Sequence, residues 1–128
     1  MAETRPSIEE LVLVAERVMG WKLRRREGDG ASFERPDASI VYCWLSMACI
    51  GDSRTWYPFD SDADAMALLR ALQLNTSWIV RIEGDADDGE WWHVNCRIHG
   101  GVRIHQASAG ELRHAIFQAA LAVAKENQ

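Results

Sequence analysis

The sequence predicts a single α/β domain of the α+β type over residues 1–128, with antiparallel strands packed against helices. Three observations carry this. Two S-x-x-E capping boxes, Ser7 with Glu10 and Ser108 with Glu111, each precede apolar residues at helical spacing. Between them, Trp78 to Glu83 and Trp91 to Ile98 alternate apolar and polar residues with the period of a one-sided strand. No repeat, low-complexity tract or Pro/Gly-rich linker divides the chain. Its 128 residues, 48% hydrophobic and 26% charged, suit one soluble core that needs neither disulfides nor a structural metal.

The first helix starts at Ser7 and carries its stripe on Ile8, Leu11, Val12, Ala15, Val18 and Met19, with Gly20 as a left-handed stop. Trp21 and Leu23 then alternate with Lys22 and Arg24 as a short strand that Gly28-Asp29-Gly30 ends. Ser32 to Ser39 is mixed and polar. Ile40 to Ser46 reads as a strand, because Ser39, Gly51 and Asp52 bracket the apolar stretch and no helix cap precedes it. A second helix follows, capped by Asp60 or Ser61, with Asp62 and Asp64 at the positive end of its dipole and Met66, Leu68, Leu69 and Leu72 on its buried face.

After the strand Trp78 to Glu83 and the acidic turn Gly84 to Gly89, Trp91 to Ile98 makes a hairpin with Val102 to Gln106. A two-residue loop would pair Ile98 with Arg103. A three-residue loop, His99 to Gly101, keeps the two faces cleaner and predicts Ile98 opposite Val102, Arg97 opposite Arg103, Cys96 opposite Ile104 and Asn95 opposite His105. The closing helix uses Leu112, Ala115, Ile116, Ala119, Ala120 and Val123. Phe117, Leu121 and Ala124 widen its apolar surface, which predicts a homo-oligomer.

Composition excludes several roles. Lys and Arg number 14 against 19 Asp and Glu, a net charge of −5, which disfavours a nucleic-acid polymer as partner. Three cysteines, Cys43, Cys49 and Cys96, with no signal peptide and no bilayer-spanning run, predict free thiols in a reducing cytoplasm. His93, Cys96 and His99 have zinc-like spacing, but on a strand Cys96 points away from both histidines. Asp60, Asp62 and Asp64 open like a calcium loop, yet Ala65 and Ala71 stand where a glycine and a glutamate are needed. Without a Gly-x-Ser-x-Gly elbow or a phosphate-cradling glycine loop, nothing in the pattern points to an enzyme or a cofactor.

The non-core face of the hairpin is more informative. It groups Asn95, Arg97, Arg103 and His105, joined by Arg81 if its strand is adjacent. Such a face is either solvated, its arginines paired with surplus carboxylates, or a site for a small anion held by bidentate arginine contacts. Six tryptophans offer stacking partners.

The run from Trp56-Tyr57-Pro58-Phe59 through Asp60-Ser61-Asp62-Ala63-Asp64-Ala65-Met66 to Leu68-Leu69 resembles the phage ABA-sandwich family, an α/β/α domain of phage and prophage proteins. Ala15 to Leu23 and Glu111-Leu112 with Ala115-Ile116 and Ala119 to Ala122 resemble that family's first and closing helices. Residues 24 to 55 carry none of the resemblance. It implies an α/β/α sandwich in a bacterial host's cytoplasm. It further implies an anti-defence role like that of viral sponges similar to the Thoeris anti-defence proteins, which oligomerise and sequester cyclic nucleotide-type signals without cleaving them. Such sponges use an aromatic, an amide and arginines, which by type and place are Trp92, Asn95, Arg103 and Arg113 here; Gln118 stands where the family often has arginine. The predicted ligand-binding set is thus Trp92, Asn95, Arg97, Arg103, His105 and Arg113. The alternative is an inhibitor of a host defence nuclease complex, whose acidic Asp85 to Glu90, with Asp60 to Asp64, imitates a nucleic-acid backbone.

Overall fold

The computed structural model describes residues 5–28, 30–44, 55–59, 61–75, 78–84, 92–98, 104–109 and 111–126. They form, in order, α1 (Ile8–Val14) with a π-helical turn (Ala15–Met19), β1 (Lys22–Glu27), β2 (Gly30–Glu34), β3 (Ile40–Trp44), α2 (Asp62–Asn75), β4 (Trp78–Gly84), β5 (Trp92–Ile98), β6 (Ile104–Ala109) and α3 (Leu112–Glu126). The α+β class is as the sequence predicts. The strands divide into two antiparallel three-stranded sheets, β1-β2-β3 and β4-β5-β6.

The Ser7–Glu10 box forms: the Glu10 N–H donates to Ser7 Oγ at 3.2 Å and the Ser7 N–H to Glu10 Oε1 at 2.9 Å. Gly20 ends the helical segment with φ at +76°, the left-handed conformation its position calls for. Beyond it, Gly28 at φ +54° turns β1 into β2, a hairpin partner absent from the sequence reading. Strand β2 buries Ala31 and Phe33, too few apolar positions to stand out within a polar stretch. Phe33 and Trp56 are buried and, with Trp21, form an aromatic cluster with centroid distances of 5.2 to 6.5 Å.

Residues 55–59 join the first sheet to the helices. The Trp56 N–H donates to the Tyr42 carbonyl at 2.9 Å, and Thr55 bridges to β3. Phe59 lies parallel to the His114 ring, 3.9 Å away, and meets Phe117 edge-on. Residues 55–59 are therefore a packing junction. Ser61 caps α2, accepting from the Asp64 N–H at 3.2 Å, while Asp64 Oδ2 accepts from the Tyr57 N–H at 2.8 Å. The buried face of α2 is Ala65, Leu68, Leu69, Ala71 and Leu72; Met66, expected inside, is 51% exposed because Ala65 takes the inward place.

One expectation for the closing segment is corrected. Ser108 does not cap α3: strand β6 continues to Ala109, Ser108 bonds His93, and the Glu111 carbonyl accepts the first helical bonds, from His114 and Ala115. On α3, Phe117 and Ala124 are buried within the chain together with the main stripe. The helix packs on β5, β6, α2 and α1, which accounts for Phe117 and Ala124, while Leu121 stays half-buried. All three helices pack on one another; α1 and its π-turn reach β1 and β2, and α2 and α3 reach β4, β5 and β6. Residues 24 to 44 belong to this core through Phe33, Val41 and Cys43.

Several expectations lie outside the described residues: the strand end at Leu45 and Ser46, Cys49, the cap at Asp60, the acidic turn from Asp85, Trp91, the hairpin loop His99 to Gly101, Val102 and Arg103. No helix among the described residues is long and apolar enough to cross a membrane.

Candidate ligand-binding site

Directly opposed residues of antiparallel strands share a face, so the pairing of β4, β5 and β6 fixes which side chains meet. The observed register pairs Asn95 with Gln106, Arg97 with Ile104 and Cys96 with His105. The expected opposition of Arg97 to Arg103, and of Asn95 to His105, is therefore wrong by one residue. The reason lies at the far end of β6. In the observed register Val94 and Trp92 meet the small Ala107 and Ala109 beneath α3, whereas the expected one would have driven Gln106 and Ser108 into that contact. Extending the pairing beyond Gln106 is the signal that would have found it.

The outward face then groups Ile79 with Arg97, Arg81 with Asn95 and Gln106, and Glu83 with His93 and Ser108. A concavity of about 410 Å³ opens over it, lined by Ile79, Arg81, Glu83, Asn95, Arg97 and Gln106. Arg81 Nε pairs with Glu83 Oε1 at 2.9 Å, which neutralises that end. Arg97 is exposed and has no ion pair among the described residues. In the next row His93 Nδ1 and Ser108 Oγ share a hydrogen bond of 2.6 Å. The concavity thus offers the Arg97 guanidinium, without an ion pair among the described residues, and the side-chain amides of Asn95 and Gln106 standing opposite each other.

Of the expected set, Asn95 and Arg97 come together with Arg81, and Gln106 and Ile79 join them unforeseen. Trp92 pairs with Gly84 and Ala109 on the opposite, core-facing side, and its ring lies 3.4 Å from where a Cβ on Gly84 would be. It cannot stack on a ligand held beside Arg97. The register sets His105 opposite Cys96 rather than Asn95, and Arg103 lies outside the described residues. Arg113, in the first turn of α3, is a fastener: its Nε donates to the Phe59 carbonyl at 3.1 Å, and its terminal nitrogens pair with Asp62 at 3.3 Å and Glu111 at 2.5 Å.

Nucleophile and metal chemistry find little elsewhere among the described residues. Burial pushes the Cys43 thiol up to about 12, helped by the Asp64 charge, and Cys96 to about 11, so both stay protonated at neutral pH. Cys96 points into the core while His93 faces outward, as strand parity requires, and among the described residues no three His, Cys, Asp or Glu side chains converge on a metal position. Of the acidic residues proposed as a nucleic-acid mimic, Asp62 pairs with Arg113, Asp64 is committed to Tyr57 and Ser61, and Asp60 and Asp85 to Glu90 lie outside the described residues. No protein-family model, curated protein or solved structure matches this chain.

Proposed function

We propose that the protein binds a small, phosphate-bearing, nucleotide-type ligand on the outward face of β4, β5 and β6 and holds it without cleaving it, a sequestering role of the kind the phage ABA-sandwich resemblance implies. The observation that supports this most is Arg97, a cation with no partner among the described residues, beside the opposed amides of Asn95 and Gln106. An unpaired guanidinium matches a phosphate's two oxygens, and amides match the donor and acceptor edge of a base. The concavity, about 410 Å³, is within the range of roughly 300–1,000 Å³ that small-molecule sites occupy. Arg81 adds a second cation once it turns from Glu83 to the ligand.

The test is uptake of cyclic nucleotides and ADP-ribose derivatives, followed by thermal shift and calorimetry, with the ligand recovered after denaturation. The reading predicts stabilisation by at least one member of the panel, recovery of that compound intact, and affinity at least about tenfold weaker in Arg97→Gln through the lost charged hydrogen bond. Flat melting curves across the panel, or uptake indifferent to Arg97→Gln, would overturn it. Recovery of cleaved product that disappears in Ser108→Ala would instead make the His93–Ser108 pair a hydrolytic one.

A further inference from the structure

Strand β4 is one of the two outer strands of the second sheet, and one of its edges has no strand partner among the described residues. An open edge is a template for another chain, and folded proteins guard it with bulges and like charges. Strand β1 does so, with Lys22, Arg24, Arg25 and Arg26 and a register shift between Leu23 and Arg25. Strand β4 does not. Its ladder with β5 is regular from Trp78 to Gly84, and Ile79 is exposed. Val80 and Ile82 face the core yet are only half-buried, while Val94 and Cys96 on the next strand are fully buried. An apolar flank thus continues to the open edge.

The outward side of β4 bears one charge of each sign, two residues apart. We propose that this edge pairs antiparallel with the same edge of a second copy, about a two-fold axis through Ile82, joining two three-stranded sheets into one of six. In that register Arg81 stands opposite the partner's Glu83, Glu83 opposite the partner's Arg81, and Val80 opposite the partner's Gly84. An axis through Arg81 would oppose two arginines, one through Glu83 two glutamates, and one through Val80 would leave the charges unmatched. An axis between residues would set inward apolar positions against outward polar ones. Charge complementarity therefore selects Ile82. The existing Arg81–Glu83 pair becomes one side of a four-charge ring. Self-association arises here on a strand edge, and it stands whether or not the neighbouring concavity binds a nucleotide.

Sedimentation of the full chain tests this. The wild-type protein is expected to dimerise below about 100 µM, the range of a specific but modest contact. Arg81→Glu and Glu83→Arg should each raise the dimer dissociation constant on the order of tenfold, because two pairs per dimer change sign. The doubly reversed variant should return to the wild-type constant, and an equimolar mixture of the two single variants should form a heterodimer that neither forms alone. Far-UV circular dichroism checks folding. If a single reversal folds poorly, Arg81→Gln with Glu83→Gln must give an intermediate constant. A wild-type protein monomeric through about 100 µM, or a dimer whose constant ignores both reversals, overturns the proposal.

Discussion

In the first sheet, Phe33 is fully buried against Trp21 and Trp56, and the outer strand β1 carries a run of basic residues, of which Arg26 pairs with Glu9. In the second, the buried strand positions are small, Val94, Cys96, Ala107 and Ala109, with Val80, Ile82 and Trp92 half-buried beside them, and the outer face keeps Arg97 without an ion pair among the described residues. Basic residues occur on both sheets, so their number does not distinguish them. What distinguishes them is context: the first sheet's cations lie on a guarded edge, whereas Arg97 sits inside a concavity with two amides. The first sheet buries a large aromatic cluster, and the second presents a cation without an ion pair among the described residues.

The largest expected effect tests that division. Phe33→Ala should destabilise the protein by about 3–5 kcal/mol, through lost burial and an unfilled cavity in the aromatic cluster, whereas Ile79→Thr on the second sheet's outward face should stay within about 0.5 kcal/mol. Denaturant unfolding measures both; comparable losses would erase the contrast. Next in size is Arg113→Met. Removing the charged hydrogen bond to the Phe59 carbonyl and the tie to Asp62 should cost about 1–2 kcal/mol and leave ligand uptake unchanged. A loss of uptake at full stability would return Arg113 to the binding set.

A smaller effect concerns pH. Burial raises the Asp64 carboxyl above the ordinary aspartate range, against the hydrogen bonds from Tyr57 and Ser61 that lower it. With the folded value above the unfolded one, the folded state holds this proton more tightly. Ionised Asp64 therefore opposes folding at neutral pH, and that opposition fades as pH falls through its folded value toward about 4. Asp64→Asn keeps an acceptor for the Tyr57 N–H, so its stability advantage over wild type should be greatest near pH 7 and shrink on acidification. An advantage that grows toward low pH would contradict the assignment.

Where the sequence was informative, a local signal coincided with burial. Ser7 and Glu10 cap a helix with their own side chains, and Leu112, Ala115, Ile116, Ala119 and Val123 recur at the spacing α3 requires. Strand β3 was legible because an apolar run without a cap has few alternatives. Strand β2 was not, since only Ala31 and Phe33 among its interior-facing residues are apolar enough to notice. The site was legible in half. Asn95 and Arg97 follow from strand parity, but Gln106 depends on a one-residue register choice decided by Ala107 and Ala109, weak hydrophobes that fall beyond the expected strand end at Gln106 and around the expected cap at Ser108. Arg113 has the right chemistry for a ligand; that it is tied to Phe59, Asp62 and Glu111 is a long-range fact no local pattern contains.

The comparison of the two sheets is tested most directly by amide chemical shifts of the isotope-labelled protein during titration with the compound that gives the largest thermal shift. The account predicts progressive shifts at Ile79, Arg81, Asn95, Arg97 and Gln106, and unmoved signals over Lys22 to Glu34. Shifts centred on the first sheet, or on the exposed flank of α2 at Met66 and Arg70, would contradict it.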